Sequence, residues 1–592
     1  MDSPAEPAIV CITATLPLAE RLRDGLGGRT YGLVSRVRGA DQTFDDVGET
    51  LRGLFATGRP IVAVMATGAV VRLLAPVLAD KRAEPPVVCV AQDGSCIVPL
   101  LGGHQGANDL ARRVGEVLGV APAITTASEV TGHRAADEPP PGWTLANPTA
   151  AKGIAAALIA GEGVRVEGEA ADLLDWLPRG DGPTVRATTL VAGDSVATYH
   201  PRTLAIGVGC ERGCGPDELL DLVTATLADA NLAADSVAAV VSLDLKADEP
   251  AVHAVADHLR RSARFFDAST LERETPRLAN PSETVFREVG CHGVAEGAAL
   301  AAAGPGAELI VPKRKSARAT VAVARGDTLI GDVGRARGRL YVVGIGPGDA
   351  AWRSPEATRM IRAASDLVGY SLYLDLVADI ASHATRHDFP LGDERERVRR
   401  ALVLAGQGRD VALVCSGDAG IYAMAALVFE VLEHDDLPDG ARRAAVEIAP
   451  GISALQAAAA RAGAPLGHDF CTISLSDLLT PWAVIERRIA AAAAGDFVVC
   501  FYNPVSRRRR TQLAHARDVL LEARGSDTPV VLATNLGREG EHVRTLRLAD
   551  LEVDEVDMLT LVIVGSTETR VWTDGAGRAH VYTPRGYAAK RS

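Results

Sequence analysis

The sequence predicts a multidomain α/β protein, and three observations support that fold class. The chain has 592 residues, and a single hydrophobic core stops growing at about 250 to 300 residues. Apolar runs of β type, such as AIVCITAT, PIVAVMAT and VVCVAQDG, alternate with helix-like segments, as in parallel sheets covered by helices on both faces. Only 4% of the residues are aromatic, whereas 58 are glycine, which suits close-packed α/β layers better than an aromatic-rich β-sandwich.

Composition shifts along the chain predict where the domains begin and end. Residues 1–130 form a first α/β block, and the proline-rich stretch TGHRAADEPPPGW then opens a middle region and linker, residues 131–201. A second α/β block covers residues 202–325 and closes with a β-hairpin. The polar, Gly- and Arg-rich residues 326–337 are expected to be an interdomain linker. The third block, residues 338–585, opens with the strand LYVVGIG.

Charge and cysteine content exclude several classes of protein. The formal net charge is -13, so we expect no nucleic-acid partner. We find no long uncharged apolar run and no signal peptide, so we expect a cytoplasmic protein without a membrane span. The nine cysteines fit a reducing compartment. Cys210 and Cys214 lack further ligands nearby, so they are interpreted as free thiols and no metal site is predicted.

The strongest local feature is the stretch Gly-Ile-Gly-Pro-Gly-Asp at residues 344–349, directly after a predicted strand. Glycines at a strand end let backbone N–H groups approach a ligand closely. The spacing G-x-G-x-G differs from the dinucleotide fingerprint G-x-G-x-x-G, although Asp366 stands near the distance of its conserved acid. From this loop alone, a bare turn, a nucleotide site and another kind of ligand site all remain open.

Five further motifs follow apolar strands in the same block. They are SGDAGIY (416–422), APGISA (449–454), FYNP (501–504), TNLGR (534–538) and TLVIVGST (560–567). Because each motif stands at the end of a strand, we predict that these loops gather on one sheet edge, where ligands usually bind.

In this set and order, the motifs resemble the tetrapyrrole methylase family, most closely its precorrin-3B C17-methyltransferases and their cobalt-pathway counterparts. The resemblance covers the whole third block. It implies two α/β lobes with S-adenosylmethionine in the cleft between them and a corrinoid tetrapyrrole as the substrate. It also leads us to expect a homodimer formed through the methylase domain.

The resemblance implies which residues surround the cofactor and the neighbouring tetrapyrrole trough. They are Gly346, Pro347, Gly348, Gly417, Asp418, Ala419, Ile421, Tyr422, Ser453, Ala454, Asn503 and Leu536, together with the strand at 561–564. Methylation at C17 is coupled to contraction of the macrocycle, which needs proton movement, so Asp349, Asp418 and His468 are candidate acids or bases. An Asp after a glycine loop also commonly caps a helix. The run 507–510, four arginines, either attracts substrate carboxylates or is a solvated surface.

A second constellation lies near the N-terminus: MATGAVVRLLAP (65–76), DKRAEP (80–85), LLGGHQGANDL (100–110) and ITTA (124–127). Read alone, His104 between glycines is either part of a capped turn or an acid–base group beside a helix start that accepts anions. Together with GVGCERG (207–213), SLDLKADE (242–249) and VAEGAAL (294–300), these motifs resemble the cobalt-precorrin-5A hydrolase family over residues 8–325. Ala83-Glu84 and Gly102 depart from that family's pattern.

The hydrolase resemblance implies opening of the ring A lactone of a cobalt-corrinoid, with release of acetaldehyde. No Gly-x-Ser-x-Gly elbow is present, so we favour water activated by a general base over a serine nucleophile. The candidates for acid–base work are His104, Lys246 and Glu249, and Arg72 and Lys81 are candidate partners for substrate carboxylates. The alternative is a noncatalytic module that binds corrinoids. An NAD-dependent oxidoreductase is the third possibility.

Overall fold

The computed structural model separates the chain into two compact units, Met1–Gly334 and Arg335–Ser592. It describes residues 6–79, 84–125, 136–193, 195–506 and 509–587. Lys81, Ala83, Arg507 and Arg508, and the side chain of His104, lie outside the described residues. In the ranges that are described, no helix is both long enough and apolar enough to cross a membrane.

The first unit opens with a six-stranded sheet, the first sheet, in the order β3-β2-β1-β4-β5-β6. All neighbours are parallel except β5 and β6. β1, β4 and β5 are buried along their whole length because apolar cores lie on both faces. The strands are β1 (Ala8–Cys11), β2 (Arg29–Leu33), β3 (Gln42–Phe44), β4 (Ile61–Val64), β5 (Val87–Val90) and β6 (Ile97–Leu101), and the helices are α1 (Leu16–Leu26), α2 (Val47–Ala56), α3 (Thr67–Leu74) and α4 (Ala107–Leu118).

The middle region contains a four-stranded second sheet with its own apolar core, a feature that its short, glycine-interrupted apolar runs did not reveal. Tyr199 is fully buried in this core and packs edge-on against Trp176, with ring centroids 5.2 Å apart. The order is β7-β10-β9-β8. Its elements are β7 (Trp143–Leu145), α5 (Ala151–Ile159), β8 (Val164–Glu167), β9 (Arg179–Ala187) and β10 (Ala197–Pro201).

The third sheet has the order β13-β12-β11-β15-β14, with a parallel half and an antiparallel half. The antiparallel pair β14 and β15 confirms the predicted closing hairpin. Residues 326–334 pack against this sheet, since Arg264 Nε donates to Val333 O at 2.7 Å. The elements are β11 (Leu204–Cys210), α6 (Pro216–Asp229), β12 (Val237–Leu243), α7 (Pro250–His258), β13 (Ser262–Phe266), α8 (Ala268–Glu272), α9 (Glu283–Val289), α10 (Val294–Ala303), β14 (Glu308–Lys315) and β15 (Ala319–Arg325).

The second unit has two lobes, as expected, and the first lobe is an all-parallel sheet in the order β18-β17-β19-β16-β20. Because the strands are parallel, the loops after β16, β19 and β20 leave one edge of adjacent strands. The elements are β16 (Arg339–Gly344), α11 (Pro355–Ala363), β17 (Asp366–Tyr370), α12 (Ser371–Asp375), β18 (Thr385–Phe389), α13 (Glu394–Gly406), β19 (Asp410–Cys415), α14 (Met424–His434), α15 (Asp439–Arg443) and β20 (Ala445–Ala449).

The second lobe is a mixed sheet in the order β22-β23-β26-β24-β25, beside a small sheet of β21, β28 and β27. β26 is antiparallel to both β23 and β24. FYNP and TNLGR therefore share one edge, and the prediction is wrong for TLVIVGST, whose glycine lies at the opposite edge. The elements are α16 (Ala454–Ala462), β21 (Gly463–Ala464), β22 (Phe470–Ser474), α17 (Trp482–Ala494), β23 (Val498–Tyr502), α18 (Thr511–Ala523), β24 (Pro529–Thr534), β25 (His542–Arg547), β26 (Thr560–Val564), β27 (Arg570–Thr573) and β28 (Ala579–Tyr582).

Candidate functional site

The backbones of three loops meet at the edge of the first lobe. Gly346 N donates to Gly417 O at 3.1 Å, and Gly417 N donates to Gly346 O at 2.8 Å. A Cβ atom on Gly451 would lie 2.1 Å from Gly417 O, and one on Gly344 would lie 2.7 Å from the same oxygen. Gly417 also has a φ of +68°. These contacts require glycine, so the GIGPG, SGDAGIY and APGISA motifs form one packed, backbone-lined surface.

Asp418 holds two of these loops together. Its Oδ1 accepts a hydrogen bond from Gly420 N at 2.8 Å, and its Oδ2 accepts one from Gly451 N at 3.0 Å. Ala419 beside it is fully buried. Because both carboxylate oxygens bond to backbone N–H groups, the arrangement favours a positioning role for Asp418 over a role as acid or base.

Arg538 connects the second lobe to the first and was not among the predicted site residues. Its Nε donates to Pro347 O at 2.9 Å, and its Nη2 donates to Ser416 Oγ at 3.0 Å. The backbones also touch there, since a Cβ atom on Gly348 would lie 2.5 Å from Gly537 O. The sequence signal was an arginine directly after a glycine turn at a strand end.

Tyr422 reaches from the first lobe to the second. It has a φ of +51° and is 51% exposed, and its hydroxyl donates to Thr472 O at 3.0 Å. Its ring centroid lies 5.2 Å from that of Tyr502. The Tyr502 hydroxyl bonds to Ser453 Oγ and accepts from Leu455 N, and burial raises the pKa of Tyr502. Ser453 is buried and caps α16, so its hydroxyl serves the fold as well as the cleft.

The remaining predicted cofactor residues lie on the two facing edges. Ile421 is 37% exposed. Asn503 is exposed in the left-handed region, with a φ of +49°, and its Nδ2 donates to Ser474 Oγ at 3.2 Å. Leu536 is buried in the core of the second lobe, and Ala454 packs against that core. The structure therefore places Ile421 and Asn503 at the surface of the loops that follow the strands, whereas Leu536 is a core residue of the second lobe.

The acid–base candidates Asp349 and His468 are separated. Asp349 is exposed at the end of the glycine loop, where its Oδ1 accepts from Ala351 N at 2.8 Å as a helix cap. His468 is exposed and precedes β22, so it lies at the end of the second-lobe sheet opposite to Ser474. Its Nδ1 accepts from Asp469 N. The structure does not bring His468 near these loops, because its loop enters the sheet at the edge opposite to the one where the FYNP and TNLGR loops leave it.

Asp366 does not lie at the sheet edge where the acid of a dinucleotide site is expected. It begins β17, at the sheet edge opposite to the glycine loop. Its buried carboxylate accepts from Arg409 at 2.7 Å and bonds to His387 Nε2 at 2.8 Å. Asp366, which stands at the dinucleotide spacing, thus takes part in a structural ion pair. This arrangement argues against an NAD-dependent oxidoreductase.

The described arginines of the 507–510 run are engaged within the protein. Arg509 is only 8% exposed, and its guanidinium donates to Asn503 O at 2.9 Å and to Ser476 Oγ at 3.3 Å. Arg510 pairs with Asp554. Arg509 therefore fixes the FYNP loop. In this arrangement neither Arg509 nor Arg510 is placed to attract substrate carboxylates.

The N-terminal motifs lie at two edges of the first sheet. Thr67 and Gly68 follow β4, whereas Gly102 follows β6, which runs antiparallel and ends at the other edge. A Cβ atom on Gly102 would lie 2.2 Å from Pro85 O, so GGHQGAN packs against the end of DKRAEP. Arg72 is exposed on α3. The end of DKRAEP and the GGHQGAN motif are thus adjacent at the edge where β5 starts. The turn after β4 lies at the opposite edge.

Lys246 and Glu249 lie together at the edge of the third sheet where β12 ends. Glu249 is fully buried; its Oε1 accepts from Gly213 N at 3.1 Å, and its Oε2 lies 3.4 Å from Arg212 Nη1. Arg212 also pairs with Asp248. The carboxylate of Glu249 therefore joins the loops after β11 and β12, and its side chain is closed to solvent.

The thiols of Cys210 and Cys214 are free, as predicted. Burial raises the pKa of Cys210 to about 11 and also raises that of Cys214, so neither is an activated nucleophile. Within the part of the chain that the structure describes, no group of three or more His, Cys, Asp and Glu residues is placed to hold a metal ion.

A parallel lobe and a mixed lobe, with glycine-lined loops meeting between them, define the second unit as a two-lobed α/β protein of the methylase class. Residues 339–552 match the family described as Tetrapyrrole (Corrin/Porphyrin) Methylases, and the chain belongs to that family. Residues 49–129 match the Cobalamin synthesis G N-terminal domain, and residues 204–324 match the Cobalamin synthesis G C-terminus. The chain is therefore a fusion of the two families, as the motifs predicted.

Relatives of the second unit include a "Probable cobalt-factor III C(17)-methyltransferase" of Salmonella typhimurium, 46% identical over 248 residues, which are 42% of this chain and 99% of the relative. The "Cobalamin biosynthesis protein CobIJ" of Mycobacterium tuberculosis is 46% identical over 254 residues, 42% of this chain and 48% of the relative. The chain thus spans about half the length of that relative. The crystal structure of the methyltransferase CobJ shares 40% identity over 42% of this chain and all of that one, with a TM-score of 0.38.

Proposed function

We propose that this chain is a bifunctional enzyme of corrin-ring biosynthesis. Its second unit methylates C17 of precorrin-3B or cobalt-factor III, using S-adenosylmethionine, with contraction of the ring. Its first unit opens the lactone of cobalt-precorrin-5A and releases acetaldehyde. The observation that carries the methylation proposal is the reciprocal hydrogen bonding of Gly346 and Gly417, in a unit that matches a C17-methyltransferase over nearly that relative's whole length.

The cleft residues fit S-adenosylmethionine. A Cβ atom on Gly417 would meet no protein atom closer than 3.9 Å, so no protein atom crowds this side of the backbone, and a ligand could pack against it. Ile421, Tyr422 and Ile452 present exposed apolar surface beside it. When bound, the cofactor supplies a methyl group that is already activated on a sulfonium, so the protein has mainly to position the two partners.

The proton movements of ring contraction need an ionisable group that is open to the substrate. Asp349 is exposed at the glycine loop and has one carboxylate oxygen in a helix cap. Both oxygens of Asp418 bond to backbone N–H groups, and His468 lies at the far end of its sheet. Among these three candidates we therefore propose Asp349 as the acid or base.

The hydrolase proposal rests on the two domain matches in the first unit. We propose His104 and Lys246 for acid–base work and assign Glu249 the task of positioning the loop that carries Arg212, because its carboxylate is buried. A substrate of this kind carries cobalt, so the hydrolase match favours the cobalt-early route for both units. The alternative is that the first unit binds corrinoids without hydrolysing them.

Incubation of the purified chain with S-adenosylmethionine and each of the two precorrin-3-level substrates tests the methyltransferase. Mass spectrometry is expected to show a methylated, ring-contracted product from at least one of them. Absence of that product from both substrates contradicts the proposal.

Incubation with cobalt-precorrin-5A, with acetaldehyde trapped and quantified, tests the first unit separately. Release of acetaldehyde is expected, and the variant His104→Ala is expected to slow it. Release at an unchanged rate removes His104 from the mechanism. If the wild-type chain binds the substrate and releases no acetaldehyde, the noncatalytic module is the correct reading.

A further inference from the structure

A cavity opens at the first sheet, outside the motifs of the two candidate sites. It has a volume of about 400 Å³ and is lined by residues that follow β1 and β2: Ala14, Leu16, Val34, Ser35, Arg36, Val37 and Arg38. β1 and β2 are parallel neighbours, so the cavity lies at the carboxyl ends of both strands. That edge is where doubly wound sheets bind ligands, and the volume falls within the range of small-molecule sites, about 300 to 1,000 Å³.

The two arginines at this cavity have unusual surroundings. Arg36 and Arg38 are exposed, and their guanidinium groups make no hydrogen bond or ion pair with the described residues. On α1, by contrast, Arg21 donates to Val117 O and Arg23 pairs with Asp24. Two arginines that line one cavity and have no carboxylate partner among the described residues are suited to an oxyanion.

The turn that leads into α1 offers further donors. Thr15 is the N-cap residue of this 11-residue helix, and its side chain makes no capping hydrogen bond. The Thr13 Oγ1 atom, one residue before Ala14, is buried and has no hydrogen-bond partner among the described residues. The N-terminus of α1 carries partial positive charge. An orphaned hydroxyl and a helix start without a side-chain cap therefore flank Ala14, which lines the same cavity as the two arginines.

We propose that this cavity is an anion-binding site that takes a carboxylate or phosphate group of a small molecule, held by Arg36 and Arg38 at the start of α1. The turn Ile-Thr-Ala-Thr-Leu-Pro at residues 12–17 contains no glycine, so it lacks the fingerprint of a dinucleotide pyrophosphate. The same oxyanion chemistry is available from the peripheral carboxylates of a tetrapyrrole and from free phosphate. Only the tetrapyrrole source rests on the proposed function.

Hydrogen–deuterium exchange on the full chain tests the site locally, without turnover. Peptides that cover residues 12–20 and 31–40 are expected to become protected when a polycarboxylated porphyrin or inorganic phosphate is added. Protection by the porphyrin alone assigns tetrapyrrole carboxylates, and protection by phosphate assigns a free phosphate. No protection by either ligand overturns the proposal, whatever the activity of the two units.

The double variant Arg36→Gln/Arg38→Gln is expected to raise the Kd derived from this protection at least tenfold, and Arg36→Lys/Arg38→Lys should retain most of the binding. A control with the same change in charge, Arg165→Gln/Arg287→Gln, alters two exposed arginines elsewhere in the first unit and should leave the Kd unchanged. Equal weakening by the control and by the double variant would show general charge attraction and would overturn the assignment. Circular dichroism confirms folding, since neither Arg36 nor Arg38 contributes a side-chain bond to the described fold.

Discussion

The guanidinium of Arg538 donates from Nε to the carbonyl oxygen of Pro347 across 2.9 Å. The same side chain donates from Nη2 to Ser416 Oγ. One residue of the second lobe thus fixes two loops of the first lobe, and those loops form the backbone surface of the cleft. Because a guanidinium is planar and donates in fixed directions, this contact sets the spacing of the cleft as well as stabilising it.

Removal of this contact should impair methylation more than folding. We expect Arg538→Ala to lower kcat/KM for methyl transfer about 100-fold, because small misplacements of reacting groups are costly, and to destabilise the fold by about 1 to 3 kcal/mol. Arg538→Lys should recover only part of the activity, since an ammonium cannot make both bonds in this geometry. Initial rates and thermal unfolding provide the measurement. Arg570→Ala removes an exposed arginine, and activity as low as that of Arg538→Ala in this control would contradict a specific role.

The position of Gly417 leads to a second prediction. A side chain there occupies the proposed cofactor site and must adopt a φ of +68°, which costs about 1 to 2 kcal/mol. We expect Gly417→Ala to raise the KM for S-adenosylmethionine at least tenfold. Gly577→Ala is the matched control, because Gly577 has a φ of +82° and a Cβ atom there meets nothing within 4 Å. The KM of this control for S-adenosylmethionine should stay at the wild-type value. A parallel rise of the KM in both variants would show that the substitution acts through the stability of the fold.

The contributions of the ring and the hydroxyl of Tyr422 to cofactor binding can be measured separately. Tyr422→Phe keeps the contact with the Tyr502 ring and loses the hydrogen bond to Thr472 O, so we expect a Kd for S-adenosylmethionine raised about threefold to tenfold, in line with about 1 kcal/mol for one hydrogen bond. Tyr422→Ala should weaken binding further. Calorimetric titration measures both values, with Tyr587→Phe, at an exposed tyrosine, as the control. Wild-type affinity in Tyr422→Ala would remove the residue from the cofactor site.

The local motifs predicted the cleft of the first lobe well, because a strand followed by glycines reports its own geometry. Gly346 and Gly417 meet as that pattern indicates. Strand direction is not encoded in a short apolar run, so the motif after β26 was expected at an edge that it does not occupy. Long-range partners are equally absent from local spacing. Nothing in TNLGR specifies that Arg538 bonds to Pro347, 191 residues earlier.

A buried carboxylate of the first unit links stability to pH. Glu296 is 2% exposed, and its oxygens accept from Asn280 N, Asn280 Nδ2 and Lys313 N at 2.8 to 2.9 Å. Burial alone would raise the pKa of Glu296, but these hydrogen bonds outweigh it and hold the pKa below the ordinary value of 4.5. The folded state therefore favours the carboxylate. Its contribution to stability is complete above the ordinary pKa and is lost as the pH falls through the lowered one.

We expect Glu296→Gln to destabilise the first unit by about 2 to 3 kcal/mol at pH 7, because it removes a charged acceptor from three donors. The difference from wild type should shrink as the pH falls below the ordinary value of 4.5 and through the lowered pKa of the folded state, since the wild-type carboxylate takes up a proton and the glutamine does not titrate. Urea denaturation, monitored through hydrogen exchange of the segment around Asn280, measures both effects. Glu308→Gln changes a carboxylate that is exposed and paired with Arg325, and it should cost less than about 1 kcal/mol. A difference for Glu296→Gln that stays constant from pH 7 to pH 3 would mean that the lost contacts are steric, because an electrostatic contribution must disappear with the charge.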